Sequence, residues 1–271
     1  MSDQAVTATP AYLLHYQVHR DTSFQVDFFT LEQGKINLLA KGARKAKPNA
    51  RALYQPFRPL LISWISKDDP RILTGIEESG AENVLGHNQL ACAYYLNELL
   101  VRLLPRAQPQ ASVFAHYALA LAQLSASEPA EPTLRAFELQ LLEDIGLMPN
   151  LAACESTGAA LDVNERYLFY PANAKAVLQS KAEDLSILAR PKEKDLAAAT
   201  QLHPDGITAD HGIPVSGRTL LALAAQDVSN SGILKEAKHV MRALIGQQLG
   251  SRPLNSRAMF ESMQLPVSSD S

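Results

Sequence analysis

The sequence predicts an α+β fold, with a small five-stranded β-barrel at the N-terminus followed by an α-helical domain. Three observations predict it. Apolar residues alternate with polar ones in Ser23 to Thr30, which is the period of a strand with one buried face. Further strand-like runs bounded by turn residues fill the first 80 or so positions. From Asn83 onward the apolar spacing becomes helical.

The strands follow in order. Ala11 to Val18 is the first. Ser23 to Thr30 is the second, with Phe24, Val26 and Phe28 on one face and Gln25 and Asp27 on the other. Leu31-Glu32-Gln33-Gly34 forms a turn in which Gly34 supplies a positive φ. Lys35 to Lys41 is the third strand, burying Ile36, Leu38 and Ala40 and leaving Lys35, Asn37, Leu39 and Lys41 outside. Gly42 to Leu53 breaks the pattern and reads as a loop or short helix. Pro59 to Ser66 and Arg71 to Glu78 are two more strands, separated by Asp68-Asp69-Pro70. Five short strands are best relieved of their unpaired edges by closing on themselves, and the oligonucleotide-binding (OB) barrel is the common five-stranded solution.

In the second part, Asn83 to Leu104 is a helix, with Leu85, Leu96, Leu99, Leu100, Leu103 and Leu104 on its apolar side and Pro105 as its stop. Ser112 to Leu124 is another. A third starts at Pro132, buries Leu134, Phe137, Leu141, Leu142 and Ile145, and ends at Gly146. Residues 150–215 read as irregular, with a short hairpin near Tyr167 to Tyr170 and a helix around Lys192 to Leu202. Helices resume at Arg218 to Gln226 and Ile233 to Leu249. The predicted organisation is a barrel domain over residues 1–80, a helical domain over 81–264 with the irregular insertion, and a disordered tail over 265–271.

No run approaches the roughly 20 apolar residues of a membrane span, and Met1 to Pro10 lacks a signal-peptide layout. Two cysteines, Cys92 and Cys154, make no disulfide framework. A cytoplasmic protein is expected. The net charge of −3 conceals an uneven distribution. Residues 1–80 hold ten Lys/Arg against eight Asp/Glu, residues 81–231 ten against seventeen, and residues 232–271 five against three. The sharpest imbalance runs from Lys35 to Arg58: Lys35, Lys41, Arg44, Lys45, Lys47, Arg51 and Arg58, with no acid among them. A charge run is commonly just a solvated face. Seven cations without one anion repel each other enough to indicate a polyanionic partner instead.

A second basic stripe lies on the helix Ile233 to Leu249, where Lys235, Lys238 and Arg242 stack beside the apolar side, with Arg252 and Arg257 following. It reads equally as a DNA track or as ordinary solvated lysines. His203, Asp205, Asp210 and His211 are metal-ligand types, but their spacing fits no zinc pattern and the prolines and glycines among them describe a surface loop. No metal or cofactor is expected. Cys92 reads as a buried inert thiol, and Glu155 beside Cys154 disfavours a thiolate. The sequence carries no nucleophile elbow, phosphate loop or dinucleotide fingerprint. No residue supports a catalytic role.

Several segments together resemble the RecO recombination-mediator family of bacteria. They are Asp21-Thr22-Ser23, Phe29-Thr30 to Gly34, Ala40-Lys41-Gly42-Ala43-Arg44, Gln55-Pro56-Phe57 with Pro59-Leu60-Leu61, and Tyr95-Leu96-Asn97-Glu98-Leu99-Leu100. Leu134-Arg135-Ala136-Phe137-Glu138-Leu139 and Leu249-Gly250 through Leu254-Asn255-Ser256-Arg257 complete the set, which spans about Tyr12 to Met263. The resemblance implies an OB barrel before a helical domain. It also implies binding of single- and double-stranded DNA, annealing of complementary strands, and help in loading RecA onto strands coated by single-strand binding protein. The implied partners are RecR and the acidic, hydrophobic C-terminal tail of single-strand binding protein. The sequence departs from many relatives in lacking a four-cysteine zinc site, since Thr157 stands where the partner of Cys154 would be. Asn255 also replaces a lysine frequent in relatives.

The expected DNA-binding residues are therefore Lys35, Lys41, Arg44, Lys45, Lys47 and Arg51 on the barrel, and Lys235, Lys238, Arg242, Arg252 and Arg257 near the C-terminus. Tyr54 and Phe57 are the nearest aromatics for base stacking, although their apolar neighbours favour packing. Arg135 is the expected cationic rim for the partner tail, with Leu134, Phe137 and Leu141 as core. Two other classes stay open: a protein–protein adaptor that uses the barrel to bind peptide, and a metal-dependent hydrolase centred on His203 and His211.

Overall fold

A computed structural model describes residues 4–66, 70–126, 128–153, 159–171, 175–178, 212–250 and 252–256. The first five strands are β1 (Gln4–His19), β2 (Ser23–Thr30), β3 (Gly34–Ala40), β4 (Pro59–Ser66) and β5 (Arg71–Glu78). They form a closed barrel in the order β1-β2-β3-β5-β4. β1 is long enough to pair with β4 through its first half and β2 through its second, bending at bulges between Val6 and Thr9 and between Leu13 and His15. The ring is sealed by a short parallel contact, Leu38 with Arg71 and Leu39 with Ile72. This is the OB fold that the strand count predicts.

The predicted alternation holds. Phe24, Val26 and Phe28 on β2 oppose Ala40, Leu38 and Ile36 on β3, and all six are buried with Ile62 and Trp64 in one apolar core. Burying each large side chain contributes about 1.5–3 kcal/mol. The β2–β3 turn closes on Gly34, at φ +66, with the Thr30 hydroxyl donating to its carbonyl at 3.0 Å. β1 starts at Gln4 instead of Ala11. The stretch Gln4 to Pro10 has no clean alternation, and its pairing with β4 makes it a strand.

Helix α2 (His87–Leu103) begins four residues later than expected, leaving Leu85 outside it; within the basic run, read from sequence as a loop or short helix, α1 (Pro48–Ala52) is a short helix. α3 (Ala111–Ser125) and α4 (Ala130–Asp144) follow. Pro132 falls in the first turn of α4, and Gly146, at φ +70, follows its end. The described part of residues 150–215 is more ordered than its sequence suggests. β6 (Arg166–Tyr170) lies between β7 (Lys175–Leu178) and β8 (Ile213–Ser216) in an antiparallel sheet. β8 was not expected because Pro214 speaks against a strand. Among the described residues it pairs with β6 alone, and a proline is tolerated where no second strand calls for an N–H donor. α5 (Gly217–Ala224) is capped by Ser216, whose side chain accepts from the Thr219 N–H, and α6 (Leu234–Leu249) is the last helix. The helix expected around Lys192 to Leu202 and the tail over 265–271 lie outside the described residues.

The chain divides into two compact units. One runs to Ala130 and takes in the stretch from Leu254, and the other is Glu131–Pro253. Among the described residues no helix is long and apolar enough to cross a membrane.

Candidate nucleic-acid interface

One end of the barrel is formed by the β1–β2 turn, the start of β2 and the end of β3, since Val18 opposes Phe24 and Phe24 opposes Ala40. The basic segment leaves β3 at this end. Gly42, at φ +73, turns the chain into a 3-10 turn over Ala43–Lys45, and Pro48 opens α1. Two anchors fix it. Ala43 is buried in the barrel core, and Leu53 and Tyr54 pack against that core. The Arg44 N–H donates to the Thr22 carbonyl at 3.0 Å, and its guanidinium donates to the Arg20 carbonyl at 2.7 Å.

Along this segment, Lys41, Arg44, Lys45, Lys47 and Arg51 are all exposed. Among the described residues none of the five forms an ion pair. The structure therefore gathers five expected DNA-binding residues on one segment at one end of the barrel. Arg20 in the adjoining turn is exposed as well. Sequence reasoning passed over it because Asp21 beside it cancels its charge in any local count.

Other expected residues fall elsewhere. Lys35 is on the outer face of β3 as its register requires, yet it is buried. Its ammonium donates to the Val101 carbonyl near the end of α2, where the helix dipole favours a cation. Burial pushes its pKa down, Asp27 opposes that, and Arg106 adds to it. Arg58 is also buried and is paired with Glu78 and Glu82. Lys35 is thus corrected from DNA contact to structural support, because its charge faces a helix end and not solvent.

On α6, Lys235 is exposed, Arg242 is half-buried and Lys238 pairs with Glu131 at 3.0 Å. The stripe keeps less free charge than its sequence suggests. Arg252 is exposed, and Arg257 lies outside the described residues. Arg135, expected at an exposed rim, is buried and paired with the fully buried Glu138. A cation enclosed with its counter-ion cannot present itself to a partner's acidic tail, so that assignment is withdrawn. Leu134 is half-buried, whereas Phe137 and Leu141 are core as expected.

Phe57 is buried and Tyr54 half-buried, so neither offers a free ring face. Among the described residues no group of three or more His, Cys, Asp or Glu is arranged to hold a metal. Cys154, His203, Asp205, Asp210 and His211 lie outside them. The Leu254–Ser256 stretch is held on α2. The Glu98 carboxylate accepts from the Asn255 and Ser256 N–H groups, each at 2.9 Å, and from the Ser256 hydroxyl at 2.8 Å.

Comparison with known proteins places this architecture. The family described as "Recombination protein O N terminal" matches residues 1–77, and "Recombination protein O C terminal" matches residues 87–258. The chain is 35% identical over 259 residues to the DNA repair protein RecO of Nitrosococcus oceani, covering 96% of this chain and 94% of that one. It is 38% identical to RecO of Methylococcus capsulatus over 252 residues, or 93% and 92% of the two chains. With RecO of Pseudomonas paraeruginosa the identity is 38% over 253 residues, or 93% and 94%. An OB barrel with a basic segment at one end, followed by helices, and this likeness over nearly all of its length show that the chain belongs to the RecO family of DNA repair proteins.

Proposed function

We propose that the chain is a non-catalytic mediator of DNA repair and recombination. It binds single- and double-stranded DNA, anneals complementary strands and helps load RecA onto strands coated by single-strand binding protein. One observation carries the reading: Lys41, Arg44, Lys45, Lys47 and Arg51 are exposed, free of ion pairs among the described residues, and fixed to one end of the barrel.

The mechanism is electrostatic. Each cation that meets a phosphate releases a condensed counterion, which drives binding by entropy and makes it depend on salt. Two strands held on one cationic surface lose the mutual repulsion that slows their pairing. Annealing then needs no nucleotide hydrolysis and no catalytic group. Lys235, Arg242 and Arg252 form a secondary basic surface on this reading. RecR and the C-terminal tail of single-strand binding protein are the proposed protein partners, by analogy with the family. The chain works in the cytoplasm, at the nucleoid.

The test is binding of labelled single-stranded DNA across a range of salt concentrations, together with strand annealing without ATP. Affinity should fall with a log–log slope of about −0.7 per phosphate contacted. Reversing Lys41, Arg44 and Lys45 to Glu should shrink the slope by about 2 and abolish annealing, with the fold intact. A flat salt dependence would favour a protein–protein adaptor instead.

A further inference from the structure

We infer that the exposed rings of Tyr16 and Tyr94 form a platform on which unpaired bases of single-stranded DNA stack while the cations of residues 41–51 hold the phosphates. The inference rests on the DNA-binding reading above and assigns the part of the strand that charge cannot recognise.

Tyr16 and Tyr94 are 43% and 36% exposed, and no other aromatic ring among the described residues is as open to solvent. Val18, on the same face of β1 as Tyr16, is 62% exposed. Both rings are held in orientation from behind. Tyr16 leans on the buried Phe24, centroid to centroid 4.9 Å, and Tyr94 meets the buried Phe57 at 4.9 Å and 80°. Edge and tilted contacts of this kind fix a ring while leaving a face uncovered.

One hydrogen bond joins the two elements that carry these rings, β1 and α2. The Asn97 amide donates to the Leu14 carbonyl at 3.0 Å. Tyr94 lies one helical turn before Asn97, and Tyr16 two residues after Leu14. The Tyr94 phenol responds to this: burial raises its pKa first, and Tyr16 raises it further.

The platform adjoins the basic segment on both sides of Phe24. On one side Phe24 contacts Tyr54 at 5.7 Å, and the Tyr54 N–H donates to the Arg51 carbonyl at 3.1 Å. On the other, β1 runs from Tyr16 into the turn where Arg44 binds the Arg20 carbonyl. Asp21 is the single carboxylate of that turn. Exposed aromatic faces beside unpaired cations fit a polymer that alternates negative charge with flat rings. Single-stranded DNA has both, whereas in a duplex the base faces are already stacked on one another and closed to a side chain. Stacking is tolerant of base identity, which suits an annealing surface.

The experiment compares the intact wild-type chain with Tyr16→Ala and Tyr16→Phe on three probes: an oligothymidylate, the same strand carrying abasic positions, and a duplex. Tyr16→Ala should weaken oligothymidylate binding roughly five- to hundredfold with an unchanged salt slope. Tyr16→Phe keeps the ring and should bind as wild type does. Abasic strand and duplex should not distinguish the three proteins. Oligothymidylate binding by Tyr16→Ala equal to wild type overturns the platform while leaving the charge-based reading standing, and the rings then cover a protein surface. An equal loss on the abasic strand or on duplex overturns it too, because the residue then acts through the fold. Absence of salt-dependent DNA binding in the wild type removes both the platform and the reading beneath it.

Discussion

The Asn97 side chain donates to the Leu14 carbonyl oxygen at 3.0 Å, at the residue that the β1–β2 register skips. A bulge leaves a strand residue without its ladder partner, and here a helix supplies the missing donor. Asn97 in turn accepts from the Tyr117 hydroxyl, so α2, α3 and the bend in β1 share one buried polar chain. Asn97→Ala removes both bonds inside the protein and should cost about 2–4 kcal/mol, read as a lowered urea midpoint. Tyr117→Phe removes one bond and should cost about 1 kcal/mol. A double-mutant cycle with Asn97→Ala should give less than the sum of the two.

Gly34 is under two constraints that a sequence shows only in part. Its φ of +66 disfavours any side chain, and a Cβ there would also overlap the Gln108 carbonyl oxygen. The approach is fixed because the Ala107 N–H donates to the Lys35 carbonyl at 2.8 Å. Gly42 has a similar φ of +73 but open space around its missing Cβ. Gly42→Ala should therefore cost about 1–2 kcal/mol for the left-handed backbone alone. Gly34→Ala must also displace backbone, and should cost clearly more or leave the protein insoluble. Thermal melting of the two variants measures the difference. Equal melting points would show that the 106–108 segment yields freely.

The barrel was legible because its core repeats a local rule. The inward residues Phe24, Val26 and Phe28 of β2 and Ile36, Leu38 and Ala40 of β3 are all apolar, and Gln25, Asp27 and Asn37 between them are polar, so the buried face can be read from sequence order. The fate of individual cations was not legible. The sequence puts Lys35 and Lys41 on one face of one strand, yet the strand ends at Ala40, and Lys35 meets a helix end while Lys41 meets solvent. That difference depends on α2, some 60 residues further along the chain. The same holds for Arg135: the sequence places Glu138 three residues on, but whether such a pair is buried or solvated is decided by packing. Tyr16 escaped notice for the opposite reason. It sits where β1 still pairs with β2 but has run past its last pair with β4, and a strand's alternation does not show where burial stops. The family-like segments Tyr95 to Leu100 and Leu254 to Arg257 look unrelated in sequence, and Glu98 joins them through its bonds to Asn255 and Ser256.

Glu236 on α6 carries a pH signature. Burial alone would raise its pKa. The Ser216 N–H at 3.0 Å, the Ser216 and Thr219 hydroxyls at 2.7 Å each, and Arg166 nearby more than offset that and hold it below the usual glutamate value. A carboxylate with a depressed folded pKa contributes stability that is complete above its unfolded value and is lost as pH falls through the folded one. Glu236→Gln should therefore be destabilised by about 1–2 kcal/mol at neutral pH. Its gap from wild type should stay constant down to about pH 5 and close below that. Melting temperatures across the acid range test this, and a gap independent of pH would exclude a charged Glu236 as the source. Arg166 adds little, because its side chain is 55% exposed.

Lys35 and Lys45 should behave as opposites although both belong to one basic run. Lys45 is exposed and makes no ion pair among the described residues. Lys45→Ala should leave stability within about 0.5 kcal/mol and lower the salt slope of DNA binding by about 0.7. Lys35 is buried, with its ammonium on the Val101 carbonyl, so Lys35→Ala loses a charge-assisted bond and the packing of an aliphatic stem. It should be destabilised by about 1.5–3 kcal/mol while its salt slope stays that of wild type, once binding is measured well below its melting temperature. The pair separates charge that meets phosphate from charge that holds α2 on the barrel. If Lys35→Ala instead lowered the slope as Lys45→Ala does, the end of α2 would have to open when DNA binds, and the basic surface would be larger than the free protein displays.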